Sequence, residues 1–527
     1  MSTTQTRFDI PSPADCGLPE KFSSWRTGQA EAISVMITDP HRVVALCQPT
    51  GAGKSPAYMA AALLSNKATC IVTSSRALQD QLMEDFEEIG LVSLKGRANY
   101  ECKMKPGYTC ETGYAGGCPY KGTVACDCSK AEIKAAISMK VVTNYDKWMA
   151  AKRFGQGMSH FEQVIFDEAH NSAGAIARAM QTVLNHKEIG EGLKVDFPKG
   201  AAVDSMDAWK SWAQLTRVLA EQAMQAALAR ITGVADPKQA WIKHYTHMRN
   251  LVRRLSILAT CRASNWIVEQ VEEGYQFDPI RIGQYAESTL LLRVPKIIMV
   301  SATLRPKTLF LCGIPQSDFV FKEFLSDFNP ARCPIYYIPT MRVDSRAPDL
   351  ALLWVKLDQI AAKRRDRKGI IHTVSYARQA EIAQRSRFFD SMIINPKGEP
   401  ATETVELFKS MGPGAILVSP SVGEGQDFVG NACRWGFLCK IPFEPPSRIV
   451  KAREADDKEY RMYQAAQNME QVFWRGMRGK SDWCEGFICD EHLNWFLPRA
   501  RHLVTRSFHR RFQCIGNVPA PIPIGGP

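Results

Sequence analysis

The sequence predicts an α/β protein: two parallel sheets flanked by helices, interrupted by a Cys-rich insertion and a helical insertion. Three observations carry this. Short apolar, β-branched runs alternate with helical stretches in both halves of the chain. The first such run passes through a glycine loop into a helix. Two long segments break the alternation, one dense in cysteine and the other poor in Gly and Pro.

Length and composition set the frame. At 527 residues the chain suggests three or four structural units. Hydrophobic content of 45% and charged content of 23% exclude wholesale disorder, and no period supports a fibrous rod. Runs such as Met59–Leu64 fall far short of the roughly 20 residues of a membrane span. The polar opening MSTTQTRFDIPSP lacks an apolar signal core. The expectation is a cytoplasmic protein. A net charge of +12 is only a mild pointer to an anionic partner.

The elements follow in order. Arg42–Gln48 is a buried strand and Thr69–Thr73 another, with an amphipathic helix at Ala77–Ile89. Gly96–Lys130 has no regular period, and Val141–Thr143 and Gln163–Phe166 are strands again. Asp207–Thr232 and Lys238–Glu273 contain neither Gly nor Pro, and Trp209, Trp212, Leu215, Leu219 and Leu228 recur at helical spacing. Trp209 and Trp212 read as core. Lys296–Val300, Gly369–Thr373 and Ala415–Ser419 resume the strands, and the tail VPAPIPIGGP reads as unstructured.

The glycine loop is Pro49-Thr50-Gly51-Ala52-Gly53-Lys54-Ser55. Its glycines let backbone N–H groups approach phosphate oxygens, Lys54 reaches the terminal phosphates, and the Ser55 hydroxyl suits Mg²⁺. The pattern GxxxxGK[ST] is broken at its first position, where Gln48 replaces Gly. Gln163–Phe166 runs into Asp167-Glu168-Ala169-His170. At a strand end, Asp167 suits Mg²⁺ through water and Glu168 suits polarising an attacking water. Together the two segments read as an ATP site.

These motifs resemble superfamily 2 DEAH-box helicases, and within them the XPD/DinG family, in order along nearly the whole chain. Arg26 and Gln29 (RTGQAEAI) resemble the adenine-contacting Q-type motif. Lys54, Ser55, Asp167, Glu168 and His170 match motifs I and II, and Ser301-Ala302-Thr303-Leu304 matches motif III. Ser421, Glu424, Gly425, Asp427 and Phe428 (SVGEGQDF) match motif V. Gln471, Arg475 and Arg478 (QVFWRGMR) match motif VI, the source of arginine fingers, with Trp474 where the family has Gly. Three apart, the two arginines share a helix face and meet a γ-phosphate only if the second domain closes on the first.

Cys102, Cys110, Cys118 and Cys126 are each eight apart, with Cys128 a fifth and no His among them. Thiolate-only ligation suits zinc or an iron–sulfur cluster alike. The preceding GRANYEC (Gly96–Cys102) resembles the family's entry to its 4Fe–4S domain, which implies a cluster on Cys102, Cys110, Cys118 and Cys126, with Cys128 as the alternative fourth ligand and zinc as the alternative metal.

Nucleic-acid contacts implied by the resemblance are Thr73, Ser74 and Arg76 (motif Ia) and His372, Thr373, Ser375 and Tyr376 (motif IV). Small hydroxyls at a strand-to-helix turn suit phosphate contacts or, equally, a helix cap. The basic run Lys363–Lys368 reads as a solvated helix end, and Arg499–Arg511 is a second basic stretch.

The resemblance implies two RecA-like motor domains, the first over 1–95, 139–170 and 287–304 and the second over 305–515. An iron–sulfur domain is expected at 96–138, a helical arch-like insertion at 171–286 and a flexible tail at 516–527. About 40 residues precede the P-loop strand, too few for the exonuclease domain of larger DinG-like proteins. The expected function is an ATP- and Mg²⁺-dependent helicase moving 5′→3′ on single-stranded DNA and opening tailed or forked duplexes, as a monomer. The alternatives are a DEAH-box RNA helicase and an ATP-gated accessory factor that separates no strands.

Overall fold

The computed structural model describes residues 9–113, 118–153, 160–234, 237–344, 349–399, 401–420, 428, 430–473, 476–477 and 481–526. The chain opens with strands β1 (Val43–Cys47), β2 (Thr69–Thr73), β3 (Val92–Ser93), β4 (Lys140–Asn144) and β5 (Gln163–Asp167). The insertion contributes β6 (Thr182–Asn185), β7 (Trp266–Val271) and β8 (Gly274–Pro279). β9 (Lys296–Ser301) and β10 (Phe319–Glu323) return to the first sheet. The second half supplies β11 (Ile335–Met341), β12 (Gly369–His372), β13 (Met392–Ile394), β14 (Ile416–Ser419), β15 (Trp435–Leu438), β16 (Glu485–Asp490) and β17 (Phe512–Cys514).

Two seven-stranded sheets result, in the orders β10-β1-β9-β5-β2-β4-β3 and β13-β14-β12-β15-β16-β11-β17. Every pairing within them is parallel. Strands covered on both faces need side chains that are apolar throughout, and β1, β2, β5 and β9 are buried at every position. Parallel pairing brings like ends together. Cys47 on β1 aligns with Ser301 on β9, and Val300 on β9 with Asp167 on β5, so the glycine loop, the acidic motif and the Ser-Ala-Thr motif leave one edge side by side. This α/β architecture of two parallel sheets is the one the sequence predicts.

The two halves are tied directly. Lys307 Nζ lies 2.7 Å from Asp457 and 3.2 Å from Glu459, and Thr308 shares a hydrogen bond with Tyr463. The insertion leans on the second half through Arg281–Asp456 and Arg448–Asp204, at 2.8 and 2.9 Å.

Several expectations are corrected. The first motor does not end at 304, because the helix Pro306–Leu311 leads to β10, which pairs with β1. The insertion at 171–286 is not purely helical. Helices Met206–Ala229 and Gln239–Thr260 pack beside an antiparallel sheet ordered β6-β8-β7, and the β-branched alternation of Trp266–Val271 takes over where a helix was expected to run on to Glu273. Trp209 is buried, ringed by Phe197, Tyr275 and Phe277, but Leu215 and Leu219 of the same spacing are exposed.

The basic run and the tail are corrected together. Arg364, expected in solvent, is fully buried and pairs through two nitrogens with the equally buried Glu485, at 2.5 and 2.9 Å. Lys363 donates to the Val518 carbonyl at 2.7 Å and Arg367 to that of Ile522 at 2.6 Å, so the tail is seated through residue 526 instead of loose. Its prolines have no N–H to leave unsatisfied, and its carbonyls accept from cations of the basic run.

Removing one member of a buried ion pair strands the other. Glu485→Ala is expected to cost about 3–5 kcal/mol. The Glu485→Leu/Arg364→Met pair should recover most of that loss, read from urea unfolding of the full chain.

Candidate functional site

The glycine loop joins β1 to the helix Lys54–Leu64. Gly51 and Gly53 take left-handed backbone, φ 77° and 73°. A Cβ on Gly53 would stand 2.3 Å from the Gln29 amide, so only glycine fits. Gln29 is itself buried; its Nε2 donates to the Gly53 carbonyl at 2.7 Å and its Oε1 accepts from the Arg26 N–H. Arg26 donates to the Gly51 carbonyl. The pair predicted to meet adenine therefore splints the loop, with the Gln29 amide spent at both ends. Thr50, Gly51, Gly53, Lys54 and Ser55 line a cleft of about 780 Å³ together with Glu168, His170 and Gln471. Ala52 turns the loop, its N–H donating to Pro49 at 3.2 Å.

Asp167 ends β5, and Glu168 follows in left-handed backbone at φ 50°. Burial, then the adjacent Glu168 carboxylate, push the Asp167 carboxyl up to about 7 against the pull of Lys54. Burial also acts to raise Glu168. It is outweighed by hydrogen bonds from His170 and Ser301 and by the Lys54 charge, which hold Glu168 down at about 2. Glu168 is thus held as the carboxylate, able to accept a hydrogen bond from a water and orient it.

Tyr58 was not foreseen. Its buried hydroxyl donates to Asp167 Oδ2 at 3.4 Å and also hydrogen-bonds the Ser55 side chain. The available signal was its position three residues after Ser55, on the same helix face. Tyr58 brings the Ser55 hydroxyl and Asp167 within reach of one atom. A hydroxyl beside a carboxylate that burial leaves short of positive charge fits Mg²⁺, which when bound supplies charge neutralisation at phosphate oxygens.

A hydrogen-bond chain then crosses the strand ends. His170 Nδ1 lies 2.7 Å from Ser301 Oγ and 3.3 Å from Glu168 Oε2, and Ser301 Oγ donates to Glu168 Oε2 at 3.2 Å. Gln471, on the helix Tyr460–Phe473 of the second half, reaches His170 Nε2 at 3.2 Å and donates to Thr303 Oγ1 at 2.9 Å. One amide thus touches the acidic motif and the Ser-Ala-Thr motif from across the cleft. Arg475, Arg478, Glu424, Gly425 and Asp427, with Ser421 and Trp474, lie outside the described residues; Phe428 is buried.

Among the five cysteines, Cys110 and Cys128 meet in a side-chain hydrogen bond that pulls the Cys110 thiol down to about 7 and pushes Cys128 up. Cys126 caps the helix Asp127–Ile137, its sulfur accepting the Ser129 N–H at 3.4 Å. Cys102 is buried close against Gly113, and Cys118 is half-buried. Among the described residues no three His, Cys, Asp or Glu side chains gather as a metal site, so the expected four-thiolate set is not assembled there.

The candidate phosphate-contacting groups divide. Thr73 donates back to the Ser75 carbonyl, Ser75 caps the helix Arg76–Phe86, and Arg76 reaches Asn99 at 2.7 Å. Ser375 caps the helix Tyr376–Arg385, while the buried Thr373 hydroxyl has no partner among the described residues. His372 ends β12 half-buried, and Tyr376 opens the capped helix.

Residues 26–195 match the DEAD/DEAH box helicase family, and residues 360–510 match the helicase C-terminal domain. No curated protein matches the chain. Among solved structures it is similar to an XPD helicase at 13% identity, covering 93% of this chain and 98% of that one with a TM-score of 0.63. An apo XPD structure gives 13%, 93%, 100% and 0.60. S. tokodaii Xpd4 gives 13%, 93%, 100% and 0.59. At this identity the likeness is one of fold. Among the described residues no helix is long and apolar enough to cross a membrane.

Gln471→Ala removes both contacts from the second half while leaving the glycine loop untouched. Triphosphate turnover is expected to fall about tenfold with nucleotide affinity little changed, as for loss of two neutral hydrogen bonds worth about 0.5–1.5 kcal/mol each. Stopped-flow binding beside steady-state turnover reads the split.

Proposed function

Because the chain belongs to the DEAD/DEAH box helicases and shares the XPD fold, we propose that this ATP-dependent helicase works on DNA, moving 5′→3′ along a single strand and opening tailed or forked duplexes. What supports the nucleic-acid reading is a cavity of about 1070 Å³ bounded by the first motor, the Cys-rich segment and the helix Gln239–Thr260. Its walls carry Arg76, Arg97, Lys147, Arg178, Arg249 and Arg253 against the acids Glu111 and Asp146. A cationic cavity of that size, edged by Asn side chains, suits a phosphate backbone read without regard to base. The direction of movement and the choice of DNA rest on the family resemblance.

Lys54 and the loop N–H groups hold the triphosphate, Ser55 and Asp167 take Mg²⁺, and ionised Glu168 orients the attacking water. His170 and Ser301 fix that carboxylate. Gln471 joins them to the second motor, whose Arg475 and Arg478 are the candidates for meeting the γ-phosphate. Hydrolysis removes what the second motor grips and reopens the cleft.

The Cys-rich segment is proposed to hold a 4Fe–4S cluster on Cys102, Cys110, Cys118 and either Cys128 or Cys126. The contact between Cys110 and Cys128, with Cys126 spent on a helix cap, favours Cys128. The four thiols are not gathered in this structure, and no step of hydrolysis or movement is derived through the cluster. Anaerobically purified protein is expected to carry iron and acid-labile sulfide in equal amounts; one equivalent of zinc and no visible absorbance contradicts the assignment.

Single-stranded DNA is expected to stimulate ATP hydrolysis, Lys54→Ala to abolish it, and a 5′-tailed duplex to be opened in preference to a 3′-tailed one. Arg249→Gln/Arg253→Gln should make the logarithmic salt dependence of DNA binding shallower by roughly 1–2 units. Equal stimulation by RNA would move the reading to an RNA helicase, and hydrolysis without strand opening to an accessory factor.

A further inference from the structure

A second cavity, about 580 Å³, borders the glycine loop. It shares Arg26, Thr50 and Gly51 with the hydrolysis cleft and contains neither Asp167 nor Glu168. The strand order explains its place. β9 and β5, which carry the hydrolytic groups, lie on one side of β1, and β10 lies on the other. The chain leaving β10 keeps pairing beyond the strand, Phe324 N–H donating to the Cys47 carbonyl at 2.8 Å, and then forms the cavity wall from Lys322 to Phe328. A triphosphate whose γ end faces Glu168 and whose middle lies on the loop leads its nucleoside toward this side.

The lining has the chemistry of a base site. Gln48, the residue that breaks the glycine-loop pattern, is 1% exposed, and its buried Oε1 has no hydrogen-bond partner among the described residues. Phe324 offers a half-buried ring packed by Gly28, whose Cβ would stand 3.2 Å from it, and flanked by Lys322 Nζ at 5.5 Å from its centre. At the rim Glu31 pairs with Lys322 and Glu323 with Arg305, so these charges are balanced and recognition falls to the uncharged groups of the lining. The volume lies in the range of small-molecule sites. Phe22, stacked on Phe86 at 5.4 Å, and Trp25, whose indole donates to the Pro11 carbonyl at 2.7 Å, line the hydrolysis cleft and not this cavity. Gln29 is spent on the loop.

We infer that this cavity seats the base of the nucleotide, with Phe324 stacking on its face and Gln48 accepting a hydrogen bond from an exocyclic amino group, as adenine offers and the 6-oxo edge of guanine does not. The inference rests on the ATP-hydrolysing reading above and adds base selectivity to it. It also puts the base against the segment joining the motors, since the Ser326 N–H donates to Ser507 Oγ of the second motor at 2.9 Å.

The test uses the full chain with fluorescent N-methylanthraniloyl derivatives of ATP and GTP for binding, and ATP, GTP and purine riboside triphosphate for turnover. The wild-type protein should prefer ATP to both others by at least about tenfold in kcat/KM, because the latter lack the 6-amino donor. Gln48→Leu should remove most of that preference, and Phe324→Ala should raise the KM for ATP roughly tenfold, in line with the loss of one stacked base. Phe324→Tyr should restore it. Equal binding of the two fluorescent nucleotides by wild type, or unchanged selectivity and KM in both variants, overturns the inference. Should a variant fail to fold, the wild-type comparison of ATP with purine riboside triphosphate decides alone. Absence of any hydrolysis strikes the motor reading instead, since binding selectivity is read without turnover.

Discussion

The structure depends on a hydrogen-bond chain laid across three neighbouring strand ends. Glu168 and His170 follow β5, Ser301 ends β9, and Gln48, between β1 and the glycine loop, donates its N–H to the Ser301 carbonyl at 3.1 Å. Ser301 thus serves two neighbours at once, its carbonyl holding the loop and its hydroxyl holding Glu168. A change at the phosphates has little slack to absorb it, because buried, mutually bonded groups move together or not at all. Gln471 is where that rigidity passes to the second motor.

The parallel sheet makes the arrangement possible. Its strands all deliver their last residues to one edge, so groups more than a hundred residues apart become neighbours without any loop having to reach. The second motor uses the same plan and locks its interior with a buried ion pair, Arg364–Glu485, beneath which the C-terminal segment is fastened. The insertions leave the first sheet between strands and meet over the basic cavity, so their positions follow from the topology of the motor that carries them.

The sequence was most legible where burial is complete. VVALC, TCIVT, QVIFD and KIIMV are apolar because both faces are covered, and their loops carry the phosphate chemistry in plain spacing. It was least legible where burial is partial or the strand is interrupted. β15 contains Gly436, β11 contains Pro339 at a break in register, and β10 ends in Lys322 and Glu323 with only Phe319 fully buried; none of the three announces itself as a continuous apolar run. Charge was misleading for a physical reason: a run of cations is solvated only if no carbonyls or carboxylates fold over it, and here both do. Gln48 stood out as a broken pattern, yet its use depends on β10, a strand that local periodicity did not reveal.

On this geometry Glu168, Ser301 and Gln471 act as one unit linking hydrolysis to the second motor. A double-mutant cycle on DNA-stimulated ATP turnover with Ser301→Ala and Gln471→Ala tests it. If the chain is continuous, the double variant is no slower than the slower single one, a coupling well beyond the roughly 0.5 kcal/mol scatter of independent sites. If the two losses simply multiply, the residues act separately and the account fails.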